Sequence, residues 1–174
     1  GIVHSAIPEN FGVAVDTRSA VTGAVVAEEL GYGDLSIAVH ALAPRLFAYP
    51  LLEMGTEQQR ERYLRQFASD KFTAATAAVV EPRLDFDLTQ LSVTVRREGS
   101  ALVLNGRKCF VPLAAESDSI LVYAQSDAGA GFKGVDGFIV PRGASGVSVG
   151  EREKNMGFKP LRTYEVEFKD CKVG

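Results

Sequence analysis

Three carboxylates gather beside one apolar run: Glu81, Asp85 and Asp87 follow the uncharged stretch Phe72–Val80. Carboxylates this close could exchange a proton with a substrate or hold a hard cation. The same residues also suit a solvated loop that caps its own main chain. With one segment and no partner ligand elsewhere, the loop reading is preferred. A second pattern, Gly129-Ala130-Gly131-Phe132-Lys133-Gly134, spells GxGxxG after a strand-like segment. A dinucleotide fingerprint must next open a helix, whose N-terminal N–H groups hold the pyrophosphate. Val135-Asp136-Gly137-Phe138-Ile139 follows instead, which is turn and strand, so the glycines predict a hairpin loop. His4 and His40 are far apart, and His40 sits in an apolar helical segment as a core or interface histidine rather than a ligand. Cys109 and Cys171 have no CxxC spacing and no neighbouring base, which predicts small buried hydrophobes rather than nucleophiles.

The elements that must carry these residues change character near residue 72. Residues 19–30 are Ala-rich and proline-free, and Gly31 and Gly33 after them predict a glycine stop. Asp34 then caps a second helix with Leu35, Val39, Leu42 and Leu46 at helical spacing, and Pro44 should kink or end it. Thr56-Glu57-Gln58-Gln59 is a capping box that opens a third helix, with Tyr63, Leu64 and Phe67 on one side. Beyond it, Phe72–Val80 reads as a buried strand, and Leu91, Val93 and Val95 alternate with polar residues. Glu98-Gly99-Ser100 turns the chain into Leu102–Leu104, and Asn105-Gly106 is a hairpin signal because both residues accept positive φ. Strands follow at Ile120–Ala124, Phe138–Val140, Val147–Val149 and Tyr164–Phe168. The expected fold is α+β: a helical segment over 1–71, then an antiparallel β-sandwich or barrel over 72–174.

Composition narrows the function classes. The 174 residues carry 19 Lys plus Arg against 22 Asp plus Glu, a net charge of −3. That balance argues against a general nucleic-acid or anionic-membrane surface, which needs clustered cations. Apolar residues at 46% and charged residues at 24% match a globular chain rather than a disordered one. The longest uncharged run, Leu35–Pro44, falls well short of the roughly 20 residues a spanning helix needs, so no membrane partner is expected. No basic segment followed by an apolar one opens the chain, and a reducing, cytoplasmic compartment is the expectation. The start at Gly1 and the stop just after a strand suggest a piece of a longer protein.

The order of the motifs is more specific than any one of them. Ile7-Pro8-Glu9-Asn10-Phe11-Gly12, Glu28-Glu29-Leu30-Gly31 and Gly55-Thr56-Glu57-Gln58-Gln59-Arg60-Glu61-Arg62-Tyr63-Leu64 come first. Glu81-Pro82, Asp87, Leu104-Asn105-Gly106-x-Lys108, Phe138-Ile139-Val140-Pro141, Gly146-Val147 and Met156-Gly157 follow. Thr163 and Val166-x-Phe168-x-Asp170 close the series. In this order they resemble the N-terminal helical and middle β domains of acyl-CoA dehydrogenases, over nearly the whole chain. The resemblance implies an FAD enzyme that introduces a Cα–Cβ double bond into an acyl-CoA or acyl-carrier thioester. A glutamate takes the α-proton and flavin N5 the β-hydride. Homo- or hetero-oligomers and an electron-transfer flavoprotein partner are implied as well. The base would lie in a C-terminal helical domain beyond Gly174, so no catalytic residue is assigned within the chain. Glu81 matches a structural glutamate of the family and not that base.

By the same resemblance, Ala78, Val79, Val80, Phe86, Phe110, Val111 and Pro112 would meet the flavin, and Phe86 and Asp87 the substrate. Several side chains depart from the family pattern. Val80 stands where a threonine is usual, and Arg83, Leu84, Asp85 and Phe86 replace a small Gly- and Ser-containing stretch. Pro112 replaces a hydroxyl residue and has no N–H. Lys159 and Leu161 also depart, standing near an Arg and a Ser of the family. Each buried polar atom left without a partner costs about 1–3 kcal/mol. Two main readings follow: a working flavoenzyme whose FAD is held mainly by main-chain and partner-subunit contacts, or a non-catalytic paralogue that keeps the fold without flavin. A plain β-sandwich binding module is the third.

Overall fold

The computed structural model describes Ile7, Phe11, residues 19–69 and residues 71–173. His4 and the rest of the first quoted motif lie outside them. The chain forms two compact units, Gly1–Ala75 with Asn155–Leu161, and Thr76–Lys154 with Arg162–Gly174.

In the helical unit, α1 spans Ala20–Gly33 and Ser19 caps it, its side chain accepting from the Thr22 N–H at 3.2 Å. The helix runs through Gly31 instead of stopping there. Asp34 ends it: its N–H donates to Leu30 O at 3.0 Å, while its carboxylate accepts from the Ile37 N–H at 2.9 Å. One extended residue thereby closes α1 and opens α2, Leu35–Met54. Pro44 does not end α2, contrary to expectation, and Pro50 is tolerated as well. Each removes one helical N–H, but Pro44 is itself buried on a face with Ala38, Ala43, Phe47, Ala48 and Leu51, so packing holds the helix through the gap. By length and composition alone this helix could cross a bilayer, although it packs on α1 and α3. Helix α3, Glu57–Leu64, begins with both bonds of the expected capping box, at 2.9 and 3.2 Å. A 3-10 turn over Arg65–Phe67 continues it. Phe47 meets Tyr63 edge-on at 6.0 Å and Phe67 at 6.4 Å, and His40 is half-buried and stacks on Phe72 at 5.0 Å.

Among the described residues, the second unit holds seven strands: β1 Thr76–Ala78, β2 Thr94–Glu98, β3 Ala101–Pro112, β4 Ser119–Gln125, β5 Val135–Pro141, β6 Val147–Arg152 and β7 Thr163–Val173. They pair in the order β1-β4-β2-β3-β7-β6, with β5 also on β4. The α+β class is as expected. To the antiparallel set the sheet adds two parallel contacts, β1 with β4 and the Thr94–Gln125 pair of β2 with β4. Val93, Leu104, Ile120, Val122, Val140, Val166 and Phe168 form the centre of its core. The GxGxxG segment lies in the β4–β5 connection and forms a 3-10 turn over Gly131–Gly134 before the strand.

Asn105-Gly106 is not a hairpin turn. Gly99, at φ +61°, turns β2 into β3, and Asn105-Gly106 lies inside β3 at a register shift against β7. Gly106 has φ +132°, and a Cβ there would stand 2.8 Å from Val93 Cα. The Asn105 side chain accepts from the Asp170 N–H at 2.9 Å and donates to its carboxylate at 3.3 Å. Hairpins and bulges call on the same backbone freedom, and here it serves a bulge.

Candidate functional site

Beyond β1 the chain continues to Glu81 alongside the middle of β3. The Cys109 N–H donates to Val80 O at 2.9 Å. The Lys108 ammonium donates to Val79 O at 2.9 Å and to Glu81 Oε1 at 3.0 Å. Glu81 Oε1 also accepts the Val93 N–H at 2.8 Å, and Oε2 the Ser92 N–H at 2.6 Å. The two side chains are 0% and 1% exposed, so this is an ion pair with its polar atoms met inside the sheet unit. Burial pushes the Glu81 carboxyl up, but the Val93 and Ser92 N–H groups and the Lys108 ammonium together hold it below the usual range. Burial draws the Lys108 ammonium down against the opposing pull of Glu81. A carboxylate committed to three donors is a strut rather than a proton acceptor.

The other two acidic residues separate from it. Arg83 ties the following loop to itself, donating to Gln90 O at 3.2 Å, Ser92 Oγ at 2.9 Å and Asp85 O at 3.1 Å. Its Nε stands 3.2 Å from the Asp85 carboxylate. Asp87 accepts the N–H and hydroxyl of Thr89, both at 2.8 Å, and these hydrogen bonds hold its carboxyl below the usual range. The solvated-loop reading therefore matches Asp85 and Asp87, whereas Glu81 departs from it because it is buried against Lys108. Leu84 and Leu88 are exposed on that loop and Phe86 is half-buried.

Phe110 is the most unusual residue of the site. The β3 register slips between Lys108 and Val111, and within the slip Phe110 takes φ +52°. Its N–H faces both oxygens of the Glu153 carboxylate, at 3.2 and 3.1 Å. The ring is 55% exposed, and Val80 is 37% exposed.

The structure thus brings Val79 against Lys108 and Val80 against Cys109, with Phe110 the next residue along β3. Ala78 and Val111 put their side chains into the core, and Pro112 is buried in register with Thr163, so these three can offer a bound molecule little besides main chain. Phe86 and Asp87 lie on the Arg83-tied loop rather than on the strands. Sequence reasoning missed the Glu81–Lys108 pair, Arg83 as the loop tie, and Glu153. A lone lysine before the apolar run Cys109–Ala115 was the available signal for the pair. Nothing sets Glu153 apart from Glu151, Glu165 or Glu167 in the sequence.

Cys109 and Cys171 are free and buried. Burial, then the Glu153 and Glu165 carboxylates, push the Cys109 thiol up to about 11, and burial raises Cys171. Since only the thiolate reacts, iodoacetamide at mildly alkaline pH should leave both unmodified in the folded protein and label both in urea, read by intact mass. Rapid labelling of the folded form would contradict the buried placement.

Residues 1–71 match the family model for the acyl-CoA dehydrogenase N-terminal domain, and residues 76–171 match that for the acyl-CoA dehydrogenase middle domain. A cyclohex-1-ene-1-carbonyl-CoA dehydrogenase of Geobacter metallireducens is 31% identical over 173 residues, which is 99% of this chain and 45% of that protein. The caffeyl-CoA reductase-Etf complex subunit CarC of Acetobacterium woodii is 37% identical over 124 residues, 71% of this chain and 32% of its own. The crystal structure of an FAD-dependent dehydrogenase superposes with a TM-score of 0.83 at 29% identity, covering 99% of this chain and 47% of that one. The chain therefore spans less than half the length of these proteins.

Proposed function

The chain belongs to the acyl-CoA dehydrogenase family, and from that premise we propose that it forms the N-terminal and middle part of an FAD-dependent oxidoreductase introducing a Cα–Cβ double bond into an acyl thioester. One observation carries this reading: the Glu81–Lys108 strut fixes residues 79–80 against 108–109, with the Val80 side chain and the Phe110 ring exposed. An exposed aromatic ring on a rigid strand fits the face of a planar isoalloxazine. The polar edge of such a ring finds no hydroxyl at Val80 or Pro112 and would have to be met by main-chain groups.

FAD bound there supplies the acceptor for the β-hydride. This chain's own residues have other work. Phe110 and Val80 give an apolar wall that excludes water from one face, and the strut and the Arg83 tie keep that wall and its neighbouring loop in place. Glu81 cannot take the α-proton, because its oxygens are already occupied. In this reading the base is supplied by residues outside 1–174, as the family resemblance implies. The substrate is an acyl-CoA or acyl-carrier thioester. An electron-transfer flavoprotein as acceptor is supported by the Etf complex of the Acetobacterium woodii relative, and assembly into a homo- or hetero-oligomer accompanies this reading.

The test is the visible spectrum of the purified full-length protein. A near-stoichiometric oxidised flavin band is the expected result. A colourless protein that takes up no added FAD would overturn it in favour of a non-catalytic paralogue, the reading that the missing hydroxyls at Val80 and Pro112 favour.

A further inference from the structure

We propose that Glu153 is a positioning residue for the flavin wall, its carboxylate holding Phe110 in the left-handed conformation that aims the ring outward. The ligand half of this inference rests on the flavin reading above. A bulky residue at φ +52° is unfavourable on its own and persists only where its surroundings over-determine it. Three constraints meet at Phe110. The β3 bulge re-aims the side chain. One residue earlier, the Cys109 N–H is fixed to Val80 O. At Phe110 itself, the N–H is taken by a carboxylate, and a charged acceptor is roughly twice as strong as a neutral one.

Glu153 is in turn fixed by its own N–H, which donates to Thr163 O at 2.9 Å just beyond the end of β6. The aim of the ring is therefore set from the β6–β7 edge, 43 residues away in sequence. Without the carboxylate, residue 110 loses the partner that stabilises its left-handed state, and extended conformations that turn the ring away become competitive.

The experiment uses the full-length protein stripped of FAD, with Glu153→Ala and Glu153→Gln. Two readouts are taken: amide hydrogen exchange at Phe110 without ligand, and FAD affinity by flavin fluorescence titration. Glu153→Ala should raise both the Phe110 exchange rate and the FAD Kd about tenfold, the scale of one lost charge-assisted hydrogen bond. Glu153→Gln keeps an acceptor oxygen and should stay much closer to wild type in both. In a Phe110→Gly background, where no ring needs aiming, Glu153→Ala should leave the FAD Kd unchanged. Wild-type FAD affinity in Glu153→Ala, or a Gln variant as weak as the Ala variant, overturns the proposal. Wild-type protein that takes up no FAD overturns the flavin reading and the ligand half of this one. In that outcome, unchanged Phe110 exchange in Glu153→Ala overturns the hold, and faster exchange supports it.

Discussion

Replacing Lys108 with Met should destabilise the sheet unit by about 3–5 kcal/mol, because it strands a buried carboxylate without its counter-charge. The Val93 and Ser92 N–H groups still reach Glu81 in that variant, but they replace neither the ammonium nor its bond to Val79 O. The pH dependence carries a sign that distinguishes this cause from simple loss of packing. In the wild type, Glu81 is held below its unfolded value, so its contribution is fully present above the ordinary carboxylate range. It is lost as pH falls through the folded value. In Lys108→Met the same carboxyl keeps the Val93 and Ser92 N–H bonds but loses the ammonium, so its folded value should rise and the variant should lose less stability than the wild type as acid protonates it. The gap between the two proteins in urea midpoints should therefore be widest at neutral pH and shrink in acid. A gap independent of pH would refute the ion-pair account. Glu81→Gln combined with Lys108→Met removes both charges and should recover part of the loss.

Gly106→Ala should cost a comparable amount, about 2–5 kcal/mol, from overpacking together with an unfavourable φ. The added methyl would stand 2.8 Å from Val93 Cα and 2.9 Å from its Cγ2. Val93 cannot yield, since it is fully buried in the core and its N–H is committed to Glu81. The measurement is again the urea midpoint, with Gly99→Ala as the comparison: that turn glycine has φ +61° but open space around it, so only the smaller conformational term applies. Equal losses at the two positions would show that contact with Val93 contributes nothing.

These two residues also show what could and could not be read from the chain. Side-chain caps, whose deciding contacts are local, form as the sequence predicts. The Thr56–Gln59 capping box and the Asp34 cap involve residues three apart, and both form as expected. The strand expected over Tyr164–Phe168 forms as part of β7, with Tyr164, Val166 and Phe168 buried. Pro44 failed as a helix stop because its local penalty is set against burial of a whole face of α2, which no local rule weighs. Asn105-Gly106 failed as a turn because Val93 and Asp170 decide between a hairpin and a bulge, and neither is a sequence neighbour. The site was least legible. Lys108 finds Glu81 across 27 residues and Phe110 finds Glu153 across 43, so the types were visible and the pairings were not.

The Glu81–Lys108 strut also bears on how this chain can drift over generations. A single substitution at either position passes through a state with a stranded charge in the interior, whereas the surrounding exposed or half-buried positions 80, 84 and 86 can change one at a time without that penalty. Mutation is thus free to rework the surface a ligand would touch while the scaffold beneath it stays locked. A chain that had abandoned its chemistry would still lose stability by losing either charge, so the pair speaks for folding rather than for turnover.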